Sequence, residues 1–146
     1  MSHVRQQIRD AVVTRVTGLT TTGINVFNSR VYSLADEKLP ALAVYTKSED
    51  SGIATMGRKM DRNLDIVIEG YAKGADALGN TLDTIAAEVE AAIGTDGNLS
   101  GLGKLNGLKG TEVEFRGEEA EKPIGVVRLT YNIFYQTSAG DAETAL

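Results

Sequence analysis

From Ile124 to Thr137 the chain alternates with a period of two. Val127, Leu129, Tyr131, Ile133 and Tyr135 fall on one side, and Arg128, Thr130 and Asn132 on the other. Successive side chains of a strand point to opposite faces, so this run predicts a long β-strand with one apolar face. Such a face must be covered, and the rest of the chain has to supply both sheet partners and a covering layer.

The same period recurs upstream. In Asp61 to Ala72, Leu64, Ile66 and Ile68 oppose Asp65, Val67 and Glu69. In Leu108 to Gly117, Val113 and Phe115 oppose Glu112, Glu114 and Arg116. Asn25 to Tyr32 and Ala41 to Lys47 read as two further strands, with a polar loop, Ser33 to Lys38, between them. Pro40 opens the second, where its missing N–H does least harm. Residues 48–60 have weak periodicity and two glycines, and read as a long hairpin arm or mobile loop.

Two segments have helical spacing instead. Val4, Ile8, Ala11, Val12 and Val16 form one stripe, with Ser2 as expected cap and Gly18 as stop. Leu78, Leu82, Ile85, Val89 and Ala92 form another within a helix of about Ala75 to Ile93, ended by Gly94. All eight aromatic residues lie in the proposed strands and none in the helices, as expected for side chains that favour a pleated, half-buried surface. The expected fold is α+β, in the order α-β-β-β-α-β-β. Two helices pack on one face of a mainly antiparallel sheet of about five strands. Residues 1–137 would form a single domain, and residues 138–146, small and acidic, a flexible C-terminal tail.

Composition then removes chemistry. There is no cysteine and only one histidine, His3. That leaves no thiolate nucleophile or Cys-type zinc site, and argues against a serine–histidine triad or a multi-histidine metal site. No cofactor or metal is expected. The longest apolar run, Leu39 to Tyr45, is far short of a bilayer span, and no signal segment opens the chain. Missing cysteine fits a cytoplasmic setting.

Two motifs bear on possible chemistry. Gly97 to Leu105 resembles a phosphate loop, but Asn98 stands where glycine is needed, and Leu105 stands where the magnesium-binding hydroxyl belongs. The six glycines from Gly94 to Gly110 read as a turning connector. Glu112 and Glu114 lie two apart on a strand, roughly 6.7 Å, a separation compatible with an inverting carboxylate pair. No apolar pocket or sugar-stacking tryptophan accompanies them, so a solvated sheet face is the preferred reading.

Charge is divided unevenly. Residues 1–62 hold nine Lys/Arg and six Asp/Glu, net +3, whereas residues 63–146 hold six and 14, net −8, giving −5 overall. An acidic total argues against non-specific nucleic-acid binding. The split suits association between copies, basic patch to acidic patch. Arg58, Lys59 and Arg62 form the candidate basic group, and Glu112, Glu114, Glu118, Glu119 and Glu121 the acidic one.

The order of segments resembles the tail terminator proteins of long-tailed phages, the family containing the minor tail protein U of phage lambda. The resemblance is carried by Arg5-Gln-Gln-Ile-Arg-Asp-Ala-Val-Val leading to Leu19-Thr-Thr-Thr-Gly23, then by Val26-Phe-Asn-Ser-Arg-Val-Tyr32 and Leu39-Pro-Ala-Leu-Ala-Val-Tyr-Thr46. Ser48-Glu49, at the start of the arm, comes next. Arg62-Asn-Leu-Asp-Ile-Val-Ile-Glu-Gly-Tyr71, Leu82-Asp-Thr-Ile-Ala-Ala-Glu-Val-Glu90 and Val127-Arg-Leu-Thr-Tyr-Asn-Ile-Phe-Tyr135 complete it, over roughly residues 4–137. It implies a non-enzymatic virion protein that forms a ring, usually a hexamer, on the completed tail tube. The ring ends polymerisation of the tube protein and offers a surface to the head–tail connector or neck protein. DNA passes through without being read, and no membrane is involved. The protein would sit at the tail end near the head after assembly in the host cytoplasm. Two other readings stay open: another neck or completion protein of the head–tail junction, and a small hydrolase or ligand-binding domain using the acidic sheet face.

Overall fold

A computed structural model describes residues 2–28, 39–54, 56–74, 78–95, 97, 99–116 and 123–146. The elements run α1 (Val4–Val16), β1 (Val26–Phe27), β2 (Ala41–Ile53), β3 (Lys59–Lys73), α2 (Leu78–Ile93), a 3-10 turn at Leu99–Gly101, β4 (Lys104–Arg116) and β5 (Ile124–Ser138). This is the expected α+β order. The five strands form one sheet in the order β1-β2-β3-β5-β4, parallel between β1 and β2 and antiparallel elsewhere.

Both helices cover the same face. Val4, Ile8, Val12 and Val16 of α1 and Leu78, Leu82, Ile85, Val89 and Ile93 of α2 are buried against the alternating apolar side of β2, β3 and β5. Across the strands, Leu64 opposes Ile133, Ile66 opposes Tyr131 and Ile68 opposes Leu129, so the period-two stripes fuse into one core. At two places in this face the side chain is missing for a reason. A Cβ on Gly70 would lie 2.7 Å from Cγ2 of Ile85, and one on Gly125 would lie 2.7 Å from Cδ1 of Leu82. The two glycines let α2 settle closely on the sheet. Arg15 of α1 donates to the Ile93 carbonyl at 3.2 Å, placing a cation at the end of α2.

Several boundaries differ from expectation. The cap of α1 is His3, whose Nδ1 accepts from the Arg5 N–H at 3.0 Å, rather than Ser2. Residues 48–53 are strand: Glu49 pairs with Leu64 and Ile53 with Met60, beyond an irregularity at Thr46/Ser48. The arm is thus a hairpin within the sheet, and only the turn after Ile53 extends past it, because β5 pairs with β3 back to Lys59. β4 starts at Lys104, earlier than Leu108. Its glycines are absorbed by register shifts between Leu105 and Gly107 and between Leu108 and Gly110. The expected strand Asn25 to Tyr32 is described only to Asn28. Its remainder, the loop Ser33 to Lys38 and the helix start 75–77 lie outside the described residues.

Residues 138–146, read from sequence as a flexible tail, turn between Ser138 and Asp141 and run along the molecule. The Val4 N–H donates to the Ala142 carbonyl at 2.7 Å, and the Leu146 N–H to the Gln136 carbonyl at 2.9 Å. Ala145 packs on the core.

Candidate functional site

The candidate basic group is divided by the fold. Arg58 lies in the hairpin turn with φ 63° and an exposed side chain, and Lys59 opens β3. Arg62, three residues further on and in the same parity as Leu64 and Ile66, points to the helix-covered face. Its Nε donates to Thr137 Oγ1 at 3.0 Å and its Nη1 to Glu49 Oε2 at 3.1 Å. Its guanidinium also lies over the Tyr135 ring, 5.9 Å from the centroid. Glu49 is nearly buried and also receives Arg5 Nη1 at 2.8 Å and the Tyr135 hydroxyl. Arg62 is part of a cluster that ties α1 to the hairpin. Burial lowers the pKa of the neighbouring His3, and the cations Arg5 and Arg62 add to the effect.

The described members of the acidic group, Glu112 and Glu114, lie on the other face of the sheet. Glu112 and Glu114 are on β4, opposite Arg128 and Val126 of β5. Glu114 accepts from Arg128 Nη2 at 2.8 Å and from Arg116 Nη2 at 3.3 Å. Hydrogen bonds from Arg116 and Arg128 hold its carboxyl below the usual range. Arg128 also donates through Nε to Glu69 at 3.1 Å. Glu69 is only 1% exposed, yet it is fully accompanied, with the Tyr45 and Tyr71 hydroxyls as further donors. Burial would raise its pKa, but those three donors outweigh it and keep Glu69 ionised. Glu118, Glu119 and Glu121 lie outside the described residues.

Glu112 borders a recess of ≈350 Å³ with Tyr45, Lys47, Val67, Arg128 and Thr130. Its neighbour Glu114 is engaged by two arginines instead, and the two carboxylates do not share one environment. A general acid needs a raised pKa, and the shift at Glu114 is in the opposite direction. Among the described residues no three acidic or histidine side chains gather to hold a metal ion. No helix among them is long and apolar enough to cross a membrane.

The Glu49–Arg62–Arg5 and Glu69–Arg128–Glu114 clusters were not singled out from sequence. A signal was present for the second. Glu69 sits within Ile66-Val67-Ile68-Glu69-Gly70-Tyr71 and Arg128 within Val126-Val127-Arg128-Leu129. A charge embedded in a strand that apolar on both sides must find a partner.

A sequence model of the family described as phage minor tail protein U matches residues 3–135. A chain in the solved virion of a native gene transfer agent particle is also matched, at 22% identity and a TM-score of 0.42, over 90% of this chain and 92% of that one. No curated protein sequence matches.

Proposed function

The chain belongs to the phage minor tail protein U family and is a structural component of a phage tail; from that premise we propose that it caps the completed tail tube as a ring, ends tube polymerisation and presents the surface to which the head joins. The family match, which takes in α1 through most of β5, is the observation that carries this reading.

A ring of identical subunits needs a heterologous interface, two different patches meeting around the circle. The proposed partners are the basic turn of one copy, Arg58 with Lys59, and the acidic edge of the next, Glu112 with the segment that holds Glu118, Glu119 and Glu121. Arg62 and Glu114 belong to this interface only as supports, since each is already engaged within its subunit. A net charge of −5 is compatible with DNA passing through without being held. The remaining partners are the tube protein and the connector or neck protein, at the head-proximal end of the tail.

Electron microscopy of particles lacking the gene tests this. Overlong tails are the expected result. Tails of normal length without heads would assign a neck role instead and overturn termination.

A further inference from the structure

We propose that the β2–β3 hairpin turn of one copy seats on the free edge of β4 in the next copy, Ile53 and Met56 against Val113 and Phe115, with Arg58 beside Glu112. This deepens the ring reading and rests on it.

Two exposed apolar patches carry the inference. At the hairpin turn Met56 is fully exposed and Ile53 is 71% exposed. On β4, Val113 is 51% and Phe115 43% exposed. Each is a large apolar group in water. The β4 patch exists because the helices cover β2, β3 and β5 and leave β4 overhanging. Val113 and Phe115 point to the helix side of the sheet, opposite Val127 and Gly125, and each is left about half exposed there.

The two patches are far apart on one subunit. Sheet order sets β5 between the β2–β3 hairpin and β4. Register puts them at opposite ends too, since Lys59 pairs with Ser138 whereas Arg116 pairs with Ile124. Distinct, diagonally placed patches can meet reciprocally in a two-fold dimer or head to tail in a ring, and the ring reading selects the second. β4 is also a terminal strand, so its outer backbone N–H and C=O groups face away from the sheet and can receive a neighbour.

Charge supports the same pairing. Arg58 follows Met56 by two residues, and Glu112 precedes Val113. Neither side chain forms an ion pair among the described residues. Each patch thus has one uncommitted charge at its border, of opposite sign, which would set the register of the contact.

The absence of cysteine makes a direct test available. Particles complemented with the double variant Met56→Cys/Val113→Cys would be mildly oxidised, imaged in negative stain and run on a non-reducing gel. A ladder of covalent multimers ending at the closed ring is expected, and each single-cysteine variant should stay monomeric. Ring density without a ladder would overturn the contact and leave the ring reading standing. Dimers from a single-cysteine variant would overturn the head-to-tail arrangement. Loss of both density and ladder would overturn the contact together with the ring. Met56→Asp, an exposed position, should abolish ring density with the far-UV circular dichroism unchanged.

Discussion

Arg62 Nη1 lies 3.1 Å from Glu49 Oε2, and both side chains are largely withdrawn from solvent, at 13% and 7% exposure. The charge at Arg62 is neutralised inside its own subunit, and the charge at Arg58, four residues earlier, has no ion-pair partner among the described residues. Arg62→Glu places two carboxylates together where Arg5 alone must balance them. It should cost about 3 kcal/mol of folding stability in urea denaturation. Arg58→Asn keeps a residue tolerant of the left-handed turn. It should leave stability within about 0.5 kcal/mol and still weaken ring assembly by light scattering. Equal stability loss in both variants would contradict this division of roles.

The close approach at Gly70 predicts a coupled pair. Gly70→Ala brings a methyl within 2.7 Å of Ile85 Cγ2. Overpacking of this kind costs about 1–3 kcal/mol. Ile85→Ala alone removes a buried side chain and costs about 2–5 kcal/mol. In the double variant the clash is gone, so its loss should be smaller than the sum by about 1 kcal/mol. Strict additivity in a double-mutant cycle would count against the packing described.

How far the sequence revealed the molecule depended on whether a residue's role was local. The stripes of α1, α2, β3 and β5 were legible because each follows its own period, and those periods fixed which faces meet. Residues 48–53 were not, since Ser48, Glu49, Asp50 and Ser51 show no apolar alternation. Their strand character comes from pairing with residues 60–65, a long-range effect. The same limit applied to the candidate basic group. Arg58, Lys59 and Arg62 look equivalent in a row, and only the path of β3 separates an outward turn residue from one facing Glu49. The two-residue spacing of Glu112 and Glu114 puts them on one sheet face, whereas the arginines that bind Glu114 follow only from the β4–β5 register.

His3 gives a pH dependence with a definite sign. Its Nδ1 can accept from the Arg5 N–H only while that nitrogen is unprotonated. Burial and then the Arg5 and Arg62 cations lower its pKa from 6.5 in the folded state. The unfolded chain binds this proton more readily, so stability rises with pH across the interval. The contribution is complete above 6.5 and is lost as pH falls below that value toward the lowered folded one. Melting temperature should drop from about pH 7 to about pH 5.5. His3→Asn, a good cap that does not titrate, should flatten that slope, and an unchanged slope would refute the role given to His3.

Glu69 should behave as a structural carboxylate. Glu69→Gln leaves the Tyr45 and Tyr71 hydroxyls and Arg128 around a neutral amide in a buried position. A loss of about 3 kcal/mol in chemical denaturation is expected, and a loss below about 0.5 kcal/mol would show that the cluster contributes nothing.

The hydrogen bond from Val4 to Ala142, reinforced by Gln7 Nε2 on the Glu143 carbonyl at 2.9 Å, brings the start of α1 and the segment after β5 to one place. A short linker could join them and the backbone could be cut elsewhere, giving a circular permutant with the same layers. Protein tags fused at either end would leave the subunit from the same corner, beside the hairpin end of the sheet. Two such tags, imaged separately in assembled tails, should coincide and so orient every subunit with respect to the tube.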